Sequence, residues 1–241
     1  MQNYNIENFK KYVQELNINL KDEQYQQFVD YYKILIEWNN VMNLTAITDF
    51  DEVVIKHFID SLSLIKSVDL YEKKCLIDVG TGAGFPGIPL KIAFPNLDVT
   101  LLDSLNKRVN FLNEVINTLS LQSIKAIHGR AEDYAKLNEY REFYDLSVSR
   151  AVANLTTLSE YCLPFVKKGG SFISYKSEKI VDEMNIALKG IRILGGKIEN
   201  QIEFTLPGSD IYRNLLLIRK VNNTPKSFPR KAGLPSKEPL K

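Results

Sequence analysis

The chain is poor in the residues that build disulfide frameworks and metal centres. Its 241 residues include two cysteines, Cys75 and Cys162, and two histidines, His57 and His128. Two thiols so far apart exclude a disulfide-stapled scaffold and a Cys-based zinc site. Two imidazoles leave little for a His-rich centre, so no metal is expected. No stretch approaches the ~18 uninterrupted apolar residues of a transmembrane helix. The first eighteen positions lack a basic segment followed by an apolar one, so no secretory signal is expected. Twelve Gly and nine Pro are too few for a collagen-like or low-complexity chain. The expectation is a cytoplasmic protein with no membrane partner, built as one large domain or a domain with a small appendage.

Charge is unevenly placed. The net charge is +2, yet residues 219–241 hold seven Lys/Arg against the single acid Glu238, or +6, leaving −4 for the other 218 residues. A mildly acidic body with a basic tail fits an anionic partner, although a solvated tail has the same composition.

Three helical patterns open the chain. Ile6, Phe9, Val13 and Leu16 step by three and four, as do Phe28, Tyr31, Leu35, Trp38 and Met42. Val54, Phe58, Leu62 and Ile65 form the third, behind a cap at Thr48 or Asp49. Residues 1–70 are therefore expected to form a helical subdomain. From Lys74 strands alternate with helices: strands over 75–79, 98–102, 124–128, 144–149 and 170–175, helices over 87–93, 105–119, 131–137, 155–166 and 178–194. Such alternation implies right-handed βαβ units and a parallel sheet covered on both faces. Strand-like segments 197–206 and 212–220 then flank Pro207-Gly208-Ser209-Asp210, a turn signal that makes the pair antiparallel. The expected units are a helical subdomain at 1–70, a cofactor-binding domain at 71–221 and a basic, Pro-rich tail at 222–241. Four prolines in that tail predict extended chain that no helix absorbs.

The segment Leu76-Ile77-Asp78-Val79-Gly80-Thr81-Gly82-Ala83-Gly84-Phe85-Pro86-Gly87 carries the chemistry. A strand delivers an acid at its carboxyl end, followed by alternating glycines that let the backbone turn sharply and a ligand approach closely. Gly82 to Gly87 fits the G-x-G-x-x-G dinucleotide pattern, but the frame Asp78-x-Gly80-x-Gly82-x-Gly84 is that of S-adenosylmethionine (SAM) enzymes. A pyrophosphate prefers amides without a nearby carboxylate. SAM carries an ammonium and a sulfonium and tolerates Asp78, and the terminal hairpin also suits a methyltransferase sheet.

Asp103, closing the second strand, is placed to accept ribose hydroxyls; the alternative is a helix cap, a role Ser104 could take instead. Glu132 or Asp133 could meet adenine, or serve as first-turn acids. After the fourth strand, Ser149-Arg150-Ala151-Val152 lacks the acid or Asn with two prolines that polarises an exocyclic amine. Cys162 lies in an apolar helix pattern and is a poor nucleophile candidate. Acceptors needing no deprotonation remain, and guanine N7 is one. Transfer to it rests on proximity and alignment without a general base. Arg150 could bind a guanine edge, a phosphate or the cofactor carboxylate, or form a surface ion pair.

Trp38-Asn39, Asn43-Leu44-Thr45, His57-Phe58-Ile59-Asp60-Ser61, Asp78–Gly87, Leu102-Asp103-Ser104, Ser149-Arg150-Ala151-Val152 and Phe228-Pro229-Arg230-Lys231-Ala232-Gly233-Leu234-Pro235 occur in that order. Together they closely resemble the bacterial ribosomal RNA small-subunit methyltransferase G family, also called glucose-inhibited division protein B. The resemblance implies a class I SAM-dependent methyltransferase fold, Rossmann-like, with five parallel strands, a terminal antiparallel hairpin and the helical subdomain. It implies N7-methylation of one guanine in 16S rRNA, using SAM, in the cytoplasm; a monomer is expected. Methylation of tRNA, or a non-catalytic RNA-binding protein on the same fold, are the alternatives. By resemblance the cofactor contacts fall on Gly80, Phe85, Ala131, Glu132 and Arg150, with Asp103 on the ribose, beside Asp78, Gly82 and Gly84 of the loop. Asn39, Asn43, His57 and Asp60 would edge the crevice, with Arg150, His57 and Asn39 as substrate orienters and no residue assigned to proton transfer. Arg230, Lys231 and Lys237 would track RNA phosphates. Lys231 stands where Arg is expected, which keeps charge and loses the planar fork. Asn39 and Asn43 could instead satisfy backbone groups, and Trp38 fits a core position.

Overall fold

The computed structural model describes residues 4–150, 153–177 and 180–240. Ala151 and Val152 of the Ser-Arg-Ala-Val motif, and positions 178–179 where a helix was expected to begin, lie outside the described residues.

Helices α1 (Ile6–Glu15) and α2 (Asp22–Met42) follow the apolar stripes and bury Phe9, Val13, Phe28, Tyr31 and Leu35. The third stripe does not make one regular helix. Asp49 caps α3 (Phe50–Val53) by accepting the Glu52 amide, and a π turn (Val54–Ile59) follows. A short α4 (Asp60–Leu62) then tightens into a 3₁₀ turn over Ser63–Lys66. The wide turn keeps Val54, Phe58 and Ile59 buried while His57 and Asp60 face the end of the sheet. A regular apolar period cannot announce the residue a π turn inserts.

The sheet contains β1 (Cys75–Val79), β2 (Asp98–Asp103), β3 (Ile124–His128), β4 (Tyr144–Ser149), β5 (Val166–Lys176), β6 (Gly196–Thr205) and β7 (Tyr212–Lys220). Its order is β3-β2-β1-β4-β5-β7-β6. The first five strands are parallel and β7 is antiparallel to both β5 and β6, as expected of five parallel strands with a terminal hairpin. The hairpin enters by its second strand, so β7 rather than β6 lies against β5. Strand β5 starts earlier than expected, and its register against β4 shifts between Tyr144/Val166 and Leu146/Ser171. The connecting helices are α5 (Gly87–Ala93), α6 (Asn106–Thr118), α7 (Ala131–Tyr134), α8 (Leu155–Cys162) and α9 (Val181–Ile193).

Alternation along each strand divides the core into two layers. Leu76, Leu101 and Ile173 pack with Phe9, Phe28, Phe58 and Phe111 from the helices on one face. Ile77, Leu102 and Phe172 pack with Leu158, Phe165 and Ile191 on the other. The N-terminal helices thus share a core with one face of the sheet.

The tail is not wholly extended chain. It folds back and ends in one turn, α10 (Leu234–Lys237), with Pro235 in the first turn, where its missing N–H costs nothing. Arg141 donates to the carbonyls of Thr224, Pro225 and Phe228. Lys220 is fully buried; its Nζ donates to Leu163 O at 2.7 Å and Thr224 Oγ1 at 2.6 Å and pairs with Glu142 at 3.1 Å. Burial pushes this ammonium down to about 8. Arg230 grips Glu160, a carboxylate only 1 % exposed, through Nε at 2.9 Å and Nη2 at 2.7 Å.

Removing one partner of a buried pair leaves the other charge uncompensated. Arg230→Met is expected to lower the unfolding free energy by about 3 kcal/mol. Adding Glu160→Gln to that variant should restore part of the loss, read from urea denaturation of both proteins.

Candidate cofactor and substrate site

The glycine-rich turn closes on Asp78. This carboxylate is fully buried at the end of β1, and its Oδ2 accepts Thr81 Oγ1 at 2.6 Å and the Gly87 amide at 2.8 Å. Its Oδ1 is buried with no hydrogen-bond partner among the described residues. Burial raises the carboxyl to about 6, against hydrogen bonds from Thr81 and Gly87 that favour ionisation. A buried acid with one unpaired oxygen beside a glycine cradle suits a ligand that brings a cationic donor.

Two glycines show why the turn needs that residue type. Gly82 has φ +62°, and a Cβ there would meet nothing within 4 Å, so its open side faces free space. Gly84 has φ +92°, and a Cβ would lie 2.5 Å from Ile88 Cδ1 and 2.8 Å from the Tyr31 hydroxyl. That hydroxyl donates to Ala83 O, so α2 braces the turn from behind. Asp103 is 3 % exposed; its Oδ2 accepts the Gly82 amide at 2.9 Å and its Oδ1 the Leu105 amide at 2.9 Å. Helix α6 has no side-chain cap, so neither Asp103 nor Ser104 serves as one.

A second cluster forms where β4 ends. The His57 ring stacks on Phe85 at 4.5 Å and 15°, and the Arg150 guanidinium lies 5.0 Å from the same ring. Arg150 Nη1 donates to Lys56 O at 3.2 Å and Asp60 Oδ2 at 3.1 Å; Nη2 lies 3.1 Å from His57 Nδ1. A guanidinium only donates, so Nδ1 must accept, and His57 is the neutral tautomer protonated on Nε2. Nε2 is 3.0 Å from Thr45 Oγ1. Burial, with Arg150 adding to it, lowers this imidazole to about 3. Asp60 is held on its other side by Arg213 Nε at 2.9 Å.

The remaining expected residues are placed as follows. Asn39 Oδ1 accepts the Thr45 amide at 2.8 Å, and Asn43, in the left-handed region, closes α2. The Asn39 side chain thus satisfies backbone and holds the Thr45 that meets His57, while Asn43 gives its own amide to Asn39 O. Trp38 packs edge-on against Phe111 at 5.8 Å. Ala131 is buried at the start of α7. The Glu132 Oε1 accepts the Gly233 amide of the tail at 2.8 Å, so the carboxylate expected near adenine is engaged by the chain itself. Arg230, expected on phosphates, is locked on Glu160, whereas Lys231 and Lys237 make no ion pair among the described residues. Residue-by-residue reading missed Tyr31 and Arg213. Tyr31 falls in an apolar helix stripe, and Arg213 sits in a plain strand pattern with no motif around it.

A model of the family described as rRNA small subunit methyltransferase G matches residues 24–209. A protein of Lachnoclostridium phytofermentans named ribosomal RNA small subunit methyltransferase G is 56% identical over 228 residues, 95% of this chain and 94% of that one. Among solved structures, a methyltransferase from Pyrococcus furiosus superposes with TM-score 0.55 at 16% identity, covering 68% of this chain and 83% of that one. The M. jannaschii TYW2 complex with AdoMet gives 0.50 at 18%, covering 62% and 70%. The last two show the fold; the first two, spanning most of the chain, show that it belongs to the rRNA small subunit methyltransferase G family.

Proposed function

We propose that the protein, a monomer in the cytoplasm, methylates N7 of a guanine in 16S rRNA with SAM as donor. The observation that carries the cofactor half is the loop geometry: an acid with an unpaired buried oxygen, Gly82 open to space, and Asp103 closing the neighbouring strand. In this reading Asp78 meets the cofactor ammonium through Oδ1, Asp103 the ribose, and the start of α7 the adenine. Arg150 has its Nε–H and one Nη2 hydrogen without an acceptor among the described residues, an open edge suited to a carboxylate. Residues 71–221 hold the cofactor, residues 1–70 brace the loop and edge the crevice, and residues 222–241 carry Lys231 and Lys237 toward phosphates.

Bound SAM supplies an electrophilic methyl group. The N7 lone pair forms the new bond, the carbon–sulfur pair stays on sulfur, and no proton is released. What the chain contributes is alignment and exclusion of water. His57 is suited to this. With Nδ1 facing Arg150 and its basicity pushed down, it takes no proton and presents a neutral plate beside Phe85.

Labelled SAM should transfer its methyl to 16S rRNA or 30S subunits from cells lacking this gene, and cleavage at 7-methylguanine should appear at one new position. Label without that cleavage overturns the acceptor atom. No label in either substrate turns the test to tRNA, and failure to bind SAM overturns the enzyme.

Affinity for SAM is expected to climb as pH rises through about 6, because only the ionised Asp78 pairs with an ammonium. Asp78→Asn should flatten that profile and weaken binding by about tenfold or more. Calorimetric titration between pH 5 and 8 reads both effects.

His57 links pH to folding rather than to cofactor affinity. Its folded value, about 3, lies below the ordinary 6.5, so between them the unfolded chain binds the extra proton. Its contribution is present above 6.5 and lost as pH falls toward 3. Urea midpoints should therefore decline less steeply on acidification in His57→Phe than in the parent protein.

A further inference from the structure

Beside Arg150, on the side away from β1, lies a cavity of ≈ 980 Å³ bounded by His57, Asp60, Arg150, Tyr175, Asp182 and Arg213. Its wall is assembled from distant segments. The π turn and α4 bring His57 and Asp60, Arg150 follows the last residue of β4, β5 brings Tyr175, and the start of β7 brings Arg213. Tyr175 donates to Ser61 O at 2.8 Å and so ties β5 to α4. Arg213 lies on the strand face that carries Leu215 and Leu217 into the core with the N-terminal helices, one pleat further on. Its side chain therefore reaches across to Asp60.

Asp60 stands between two arginines, with a side chain 4 % exposed and one oxygen on each: Oδ2 on Arg150, Oδ1 on Arg213. Arg213 gives Nη1 to Tyr212 O at 3.0 Å, and its Nη2 has no acceptor among the described residues. Arg150 and Arg213 are thus aimed by one acid and each keeps a donor unused. Arg150, Arg213 and Asp60 together leave one positive charge, which the cofactor carboxylate on the open edge of Arg150 would cancel; of the other charged groups in the wall, Lys56 pairs with Glu52, Lys176 pairs with Glu183, and Asp182 is exposed to solvent. What Arg213 then meets is best a neutral acceptor. Charge neutrality matters at this point, since the ring becomes cationic when its N7 is alkylated. An arginine that forked onto both N7 and O6 would also occupy the lone pair that must react.

We propose that Arg213 is a substrate-binding residue: it donates from Nη2 to O6 of the guanine accommodated in this cavity, leaving N7 free, with Asp60 as the positioning residue that divides the cofactor-side arginine from the substrate-side one. This rests on the reading of the preceding section, and it adds the residue that recognises the base. An adenine presents an amino group in place of O6 and would be refused by the same donor.

The test uses the full-length protein saturated with S-adenosylhomocysteine, titrated with guanosine and adenosine 5′-monophosphates and followed by NMR. The parent protein should prefer the guanine nucleotide. Arg213→Met should abolish that preference and lower kcat/KM for 30S subunits by about tenfold or more, with the Kd for SAM unchanged. Arg213→Lys keeps one donor and should recover part of the preference. An unchanged preference in Arg213→Met overturns the assignment, as does a Kd for SAM that rises in step, which would place Arg213 on the cofactor side. If Arg213→Met does not fold, Arg213→Lys decides: reduced guanine preference with unchanged SAM binding supports the proposal, and full preference or weakened SAM binding overturns it. A parent protein that binds both nucleotides alike overturns the site. Guanine preference without methyl transfer to 16S rRNA counts against the proposed function and leaves the site standing.

Discussion

The arrangement depends on one carboxylate group closing one turn. Asp78 leaves β1 inside the sheet, and its Oδ2 pulls the Thr81 hydroxyl and the Gly87 amide inward. The residues between them are forced into an arch, and the start of α5 is fixed against the end of β1. Asp103 takes the Gly82 amide from the neighbouring strand, so two adjacent parallel strands hold the arch at separate points. Burying an acid this deeply is costly unless it is hydrogen-bonded, and here only one of its two oxygens is. The remaining oxygen is a buried acceptor left unpaired among the described residues.

The N-terminal helices supply what the sheet lacks. Their aromatic seam runs from Phe28 and Phe58 through Tyr31 to Phe85, with ring centroids 4.9, 5.6 and 5.5 Å apart in turn. Phe85 lies within the arch, so the helical layer packs directly on the glycine-rich loop. His57 and Arg150 then share the ring of Phe85, joining that layer to β4. The helices act as a rigid backing for the loop and form one wall of the cavity beside Arg150.

Much of the fold was legible because its signals are local. The glycine spacing after β1, the alternation of strands and helices, and Pro207-Gly208-Ser209-Asp210 each state their structure within a dozen residues. The insertion of β7 between β5 and β6 is not local, since it depends on which edge the hairpin presents to β5. The π turn was hidden because Val54, Phe58, Leu62 and Ile65 satisfy an ordinary helical period. In the site, Asp78 and Asp103 stood at recognisable strand ends, whereas Arg213 acquires meaning only through Asp60, 153 residues away. The prolines of the tail spoke for extended chain, and its true partners, Arg141, Glu142 and Glu160, are remote in sequence.

The strapped tail changes how the basic end should respond to salt. Seven cations crowd residues 219–241, but Arg219 is paired with Glu199, Lys220 with Glu142 and Arg230 with Glu160. An internally paired cation has little counterion-releasing work left to do on a phosphate backbone. The steepness with which RNA affinity falls as ionic strength rises reports the number of phosphates neutralised. Among the described residues of this stretch, the cations outside such pairs are Lys226, Lys231 and Lys237, so composition overstates its electrolyte sensitivity. The basic tail is first a fastening and only then an electrostatic arm.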